Sequence, residues 1–107
     1  MDYPDALGSV WYETEVDGWQ GKWTRIAGTN EFSAEFTHPS GQRIGGRLSI
    51  RVDGRTVRIH RENPGTWGTC EYLGTLSPDL KTVSGNYHCT DQNNQPTPTY
   101  AWSARIE

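Results

Sequence analysis

TCEYLGTLSPDLKTVSGNYHCT, residues 69–90, reads as a strand, a tight turn and a returning strand. A turn centred on Asp79–Leu80 sets Leu76 opposite Val83, Gly74 opposite Gly85, Tyr72 opposite Tyr87 and Cys70 opposite Cys89. Like meets like all along one face. The other face pairs Thr75 with Ser84, Leu73 with Asn86 and Glu71 with His88. Side chains alternate sides along a strand, so one apolar and one polar face is the mark of a half-buried antiparallel hairpin.

The rest of the chain repeats this unit. Val10–Val16 alternates and ends at Asp17-Gly18, a dipeptide suited to a two-residue hairpin turn. Closing there predicts Tyr12 opposite Trp23 and Val10 opposite Arg25 on the inner face, with Trp11 outward and an outer Glu13–Lys22 ion pair. Glu31–Thr37 places Phe32, Ala34 and Phe36 on one side, and Gln42–Val52 directs Ile44, Gly46, Leu48, Ile50 and Val52 inward. An Asp53-Gly54 turn then predicts Ile50 opposite Val57, Leu48 opposite Ile59 and Gly46 opposite Arg61. A sixth strand is expected from about Trp67, after an Asn63-Pro64-Gly65 turn, and an eighth over Thr99–Ile106. Asp91–Pro98 is the longest polar loop and the one expected to be most mobile. No segment keeps an apolar period of 3.6 residues long enough for a helix.

These elements predict an all-β chain: a small eight-stranded antiparallel up-and-down β-barrel over residues 9–107, preceded by an N-terminal arm over residues 1–8. Closure leaves no sheet edge exposed, and eight strands enclose a space that side chains fill or that holds one small ligand. A small sandwich is the alternative.

The 107 residues suit one domain, and a formal charge of −3 gives no general attraction to nucleic acid or an anionic membrane. No apolar run is long enough to span a bilayer, and MDYPDALGS lacks the features of a secretory signal. Two cysteines are too few for a zinc site, and neither a metal nor a cofactor is expected. Cys70 and Cys89 either bridge adjacent strands or remain reduced core thiols. A bridge favours an oxidising compartment; without one the expected location is cytoplasmic.

Two arginines on the inner face stand out. A guanidinium keeps its charge inside a protein and needs an anion or several acceptors. Either Arg25 and Arg61 reach water past the barrel rim, or they help hold a ligand. The ligand-binding candidates are Tyr12, Trp23, Arg25, Arg61, Tyr72, Tyr87 and Trp102. Outside, Arg43, Arg47, Arg51, Arg58 and His60 form a basic stripe that a homo-oligomer contact through Glu13, Glu15 and Asp17 would complement. Outward Trp11 and Trp67 are candidates for a subunit contact or a sugar-stacking surface. No catalytic motif is present, so whether the protein is an enzyme stays open.

Gly21-Lys22-Trp23-Thr24 followed by Gly28-Thr29-Asn30 resembles the opening strand and turn of avidin-like binders, within the lipocalin and avidin group of calycin barrels. Thr29 matches a family Ser that reaches the ligand; Arg25 stands where the family has an Asn that meets it. In size and style the barrel is also similar to allene-oxide-cyclase-like and spirotetronate-type cyclase barrels. The resemblance implies a small ligand inside the barrel. The leading expectation is therefore a barrel that binds a small, partly apolar molecule with a polar or anionic group. A small cyclase or isomerase acting on a reactive carbonyl compound is the second reading. A carbohydrate- or protein-binding module using surface Trp and Arg is the third.

Overall fold

A computed structural model describes residues 7–62, 68–91, 93 and 95–107. The strands are β1 (Val10–Thr14), β2 (Gln20–Arg25), β3 (Glu31–Thr37), β4 (Arg43–Asp53), β5 (Thr56–Glu62), β6 (Thr69–Leu76), β7 (Thr82–Cys89) and β8 (Tyr100–Ile106). Each pairs antiparallel with the next, and β1 pairs with β8 to close an eight-stranded barrel. The expected Asn63-Pro64-Gly65 turn and Trp67 lie outside the described residues.

The β6–β7 register follows the sequence pattern, with Cys70 opposite Cys89 and Tyr72 opposite Tyr87. Cys70 and Cys89 form a disulfide. The neighbouring Thr90 N–H donates to the Thr69 carbonyl, so the cysteines occupy the closer, non-hydrogen-bonded type of pair. Gly74 and Gly85 have a further use. A Cβ on Gly74 would lie 2.8 Å from the Trp102 indole, and one on Gly85 would collide with the Leu73 carbonyl. Gly74 makes room for Trp102 to lie against the sheet, and Gly85 lets the β6 backbone approach closely.

Two hairpins correct the expected registers. Asp17 and Gly18 do form a tight turn, both with positive φ (62° and 83°). However, the Glu15 N–H donates to the Trp19 carbonyl while the Trp19 N–H donates to the Val16 carbonyl. Two residues of one strand thus oppose one of the other, which is a β-bulge. Beyond it the register is Trp11 opposite Trp23 and Glu13 opposite Gly21. A slip of one residue turns every side chain of β1 over. Trp11 and Glu13 point inward, and the expected surface pair of Glu13 with Lys22 does not form. Tyr12 stands on the outer wall, 39% exposed, with the Arg105 guanidinium 4.9 Å from its ring centre.

In the second case the β4–β5 turn centres on Gly54–Arg55, with Asp53 opposite Thr56, so Leu48 faces Arg61 and Ile50 faces Ile59. That shift is two residues and leaves the faces unchanged. The Asp91–Pro98 segment is also tied back: Asp91 Oδ1 accepts from the Asn93 and Gln95 N–H groups, and Thr97 exchanges hydrogen bonds with Cys89.

Aromatic side chains fill the barrel from end to end. Trp11 stacks on Trp23 with ring centres 5.7 Å apart, and Trp23 stacks on Trp102 at 5.9 Å. Tyr72 meets the Trp102 ring edge-on and stacks on Tyr87 at 4.8 Å, and Tyr87 leads to Tyr100. Each such ring removes a large apolar area from water, and ring pairs add about 0.5–1.5 kcal/mol beyond that. Leu7, buried at the edge of the expected arm, joins this core and accepts a hydrogen bond from Trp11 Nε1.

Candidate functional site

The two ends of the barrel treat their arginines differently. At the end that carries Leu7 and the β2–β3 turn, Arg25 is partly buried; its Nε donates to the Thr29 carbonyl and its Nη1 to the Gly8 carbonyl. Here the arginine ties the chain before β1 to the turn after β2.

Arg61 sits near the opposite end, the mouth, because β5 ends there. Its side chain is 8% exposed and lies against Glu15, whose side chain is 6% exposed. Arg61 Nη1 is 3.3 Å from Glu15 Oε2 and donates to the Tyr72 hydroxyl at 2.8 Å. The Tyr72 hydroxyl in turn donates to Glu15 Oε2 at 2.6 Å. The guanidinium also covers the Phe36 ring, 3.6 Å from its centre. An arginine is well suited to this position, since it can stack by its face and hydrogen-bond by its edge. Desolvation makes a buried pair like this costly to build and more costly to leave half-built.

Glu13 lies beneath this cluster, 1% exposed. Neither of its oxygens, nor Trp23 Nε1, has a hydrogen-bond partner among the described residues. Burial, reinforced by the neighbouring Glu15, pushes the Glu13 carboxyl up to about 12, with Arg61 opposing. Glu13 therefore keeps its proton at neutral pH, beside the ion pair of Glu15 and Arg61. Gly21 makes space for this arrangement, since a Cβ there would lie 2.6 Å from Glu13 Oε1 and 2.8 Å from Trp23 Nε1. Burial also raises the Tyr72 hydroxyl, with Arg61 opposing and Glu15 reinforcing, and burial followed by Glu15 raises that of Tyr87. Both hydroxyls keep their protons.

Above the cluster opens a cleft of about 280 Å³. Glu15 and Arg61 lie at its floor; Val16, Trp19, Ile44, Tyr87, Tyr100 and the Cys70–Cys89 bridge contribute to its walls, and Asp17 to its rim. The tie between Thr97 and Cys89 fixes the wall made by the chain after β7.

No family model and no curated protein matches this chain.

Of the candidate residues, the structure brings Arg61, Tyr72 and Tyr87 together at the mouth. Trp23 and Trp102 pack in the filled centre, Arg25 stands at the far end, and Tyr12 is outside. Trp11 is fully buried and offers no surface for sugar stacking. The outer arginine stripe is interleaved with acids: Arg47 pairs with Glu31 at 3.0 Å, Arg43 lies 3.7 Å from Glu35, and His60 meets both Glu71 and Glu62. The alternation of the sequence turns Glu13 and Glu15 outward and so leaves both out of this site. One available signal was chemical: an inward Arg61 calls for an inward carboxylate, and Glu13 and Glu15 stand two apart on a strand where Trp11 is equally able to face in. Among the described residues, no cluster of His, Cys, Asp and Glu could hold a metal ion, and no helix is long and apolar enough to cross a membrane.

Proposed function

We propose that this protein binds a small, partly apolar molecule carrying a polar group, seated in the cleft at the barrel mouth. The observation that carries this reading is the meeting of an open, aromatic-walled cleft with buried charged and hydroxyl groups at its floor. Small-molecule sites typically combine apolar walls with a few fixed polar groups. Here the polar groups are already held in place. Arg61 is stacked and hydrogen-bonded, Glu15 is held by Arg61 and Tyr72, and the wall is pinned by a disulfide, so little order remains to be imposed on binding. The ligand of this proposal sits above the aromatic core rather than within it, with Trp19, Tyr87 and Tyr100 around its apolar part. The likeness to calycin-like binding barrels agrees with this use of one open end.

The test is a ligand-observed NMR screen of a fragment collection spanning amines, alcohols, acids and sugars, repeated on Trp19→Ala. Fragments that bind the native protein and are lost or weakened at least about tenfold in the variant support the site; that loss corresponds to removing one buried aromatic contact. A screen without binders, or binders indifferent to Trp19, would refute it.

A further inference from the structure

The floor of the cleft is charged, yet its charges face one another. We infer that the cleft takes an uncharged aromatic molecule of one or two rings with a single hydroxyl or carbonyl group, and that it discriminates against ions of either sign. This choice of ligand class rests on the proposed binding site.

Arg61 and Glu15 are the charged groups at the floor, and each answers the other. Tyr72 accepts from Arg61 and donates to Glu15, and Tyr87 is hydrogen-bonded to Glu15 as well. The face of the guanidinium is spent on Phe36. An entering anion would have to displace Glu15 from Arg61, and an entering cation would have to draw Glu15 away from the same partners. Both side chains are almost wholly buried, so either exchange would strand a charge. Without the exchange, an ion gives up hydration in the cleft and gains no counter-charge. Asp17, the other charged lining residue among those described, is exposed at the rim, where solvent screens it. A neutral molecule meets neither cost.

The walls suit such a molecule. Trp19, Ile44 and Tyr100 line the cleft together with the Cys70–Cys89 bridge. Trp19 is held by the β3–β4 turn: the His38 ring lies 4.9 Å from its own, and His38 is fixed by hydrogen bonds with Ser40. An aromatic wall already in place loses little freedom on binding. Tyr100 is inclined at 45° to Tyr87 with ring centres 5.6 Å apart. Its hydroxyl has no hydrogen-bond partner among the described residues, and a phenolic hydroxyl both donates and accepts. It can therefore meet either a hydroxyl or a carbonyl on the ligand. A space of roughly 150 Å³ accommodates benzene, so a cleft of about 280 Å³ accommodates one ring or a fused pair.

2-Naphthylmethanol, 2-naphthylmethylamine and 2-naphthoate share one ring system and are neutral, cationic and anionic at pH 7, so NMR titration of the three isolates the effect of charge. The alcohol should bind at least about tenfold tighter than either ion. Tyr100→Phe keeps the ring and removes only the hydroxyl; it should weaken the alcohol by about fivefold, the scale of one hydrogen bond. Trp19→Ala should weaken the alcohol by at least about tenfold. An ion that binds as well as the alcohol and still needs Trp19 overturns the uncharged class while the cleft stands. An alcohol indifferent to Tyr100→Phe overturns the assigned polar contact. If none of the three binds, the aromatic class is refuted; the cleft falls with it only if the fragment screen also yields no binder that depends on Trp19.

Discussion

Each end of this barrel holds an arginine that the alternation of the sequence turns inward, and the two do different work. Arg25 is satisfied by backbone carbonyls of Thr29 and Gly8, acceptors present wherever chain crosses chain. Arg61 is satisfied by a buried carboxylate and a tyrosine hydroxyl, and the group that neutralises it also lines an open cleft. Carbonyl partners make a seal. A carboxylate partner makes a polar floor that is stable only while both charges remain. Burial of an inward arginine therefore says little by itself; the chemistry of what answers it separates closure from a candidate site.

The sharpest way to break that contrast is to remove each cation in turn. Arg61→Met should cost about 3–5 kcal/mol in denaturant unfolding, because it strands Glu15 without its partner. Arg25→Met should cost about 1–2 kcal/mol, the scale of lost hydrogen bonds at a partly exposed group. The double variant Arg61→Met, Glu15→Gln should recover much of the first loss. Equal costs at the two ends would abolish the distinction.

Glu13 provides the next test. Its folded pKa lies far above the unfolded value, so between pH 5 and 8 the folded state holds a proton that the unfolded state has released. Stability from this group is greatest below the unfolded pKa and declines as pH rises, by at most about 1.4 kcal/mol per unit. Glu13→Gln, which has no proton to lose, should flatten that decline and raise the melting temperature at pH 8 more than at pH 5. Parallel pH profiles for native and variant protein would mean that Glu13 is not the buried neutral acid described.

Reducing the Cys70–Cys89 bridge should lower stability by about 3 kcal/mol, the loop-entropy scale for a separation of 19 residues. The cleft wall should loosen with it, so that any fragment bound at the mouth weakens while Trp11 at the far end keeps its environment. Smallest of all is the effect expected on the outer wall. His60 is held above its ordinary pKa chiefly by its hydrogen bond to Glu71. Any stability from that pair is present at low pH and fades as pH rises through the His60 pKa. Glu71→Gln should bring the His60 pKa down in an NMR titration and barely alter unfolding, since the pair is exposed and screened.

How far the sequence could be read depended on what pinned each register. In β6–β7, matched cysteines, tyrosines and glycines left a single sensible alignment. In β4–β5 the turn lies one residue beyond the Asp53-Gly54 signal, which shifts the register by two, a change that period-two alternation forgives. In β1–β2 Asp17-Gly18 did turn the chain, but the bulge at Glu15–Val16 inserted one residue, and nothing in the local composition marks it. That single residue exchanged Tyr12 for Trp11 and brought Glu13 and Glu15 to the inside. Arg61 was legible because an inward guanidinium is conspicuous. Its partner was not, because the hairpin carrying it was read on the wrong face. Gly21 held a clue, since a glycine opposite Glu13 leaves the space that an inward carboxyl needs.

The two ends can be compared in one spectrum, because each has its own tryptophan. Trp19 lines the cleft, and Trp11 is buried at the far end with its indole N–H bonded to the Leu7 carbonyl. Nitrogen-15 NMR of the indole groups during titration with a fragment that binds the native protein follows both at once. A saturable shift of the Trp19 signal with Trp11 unmoved is the expected result. A shift at Trp11 with Trp19 unmoved, or no shift at either, would contradict a binding site at the barrel mouth.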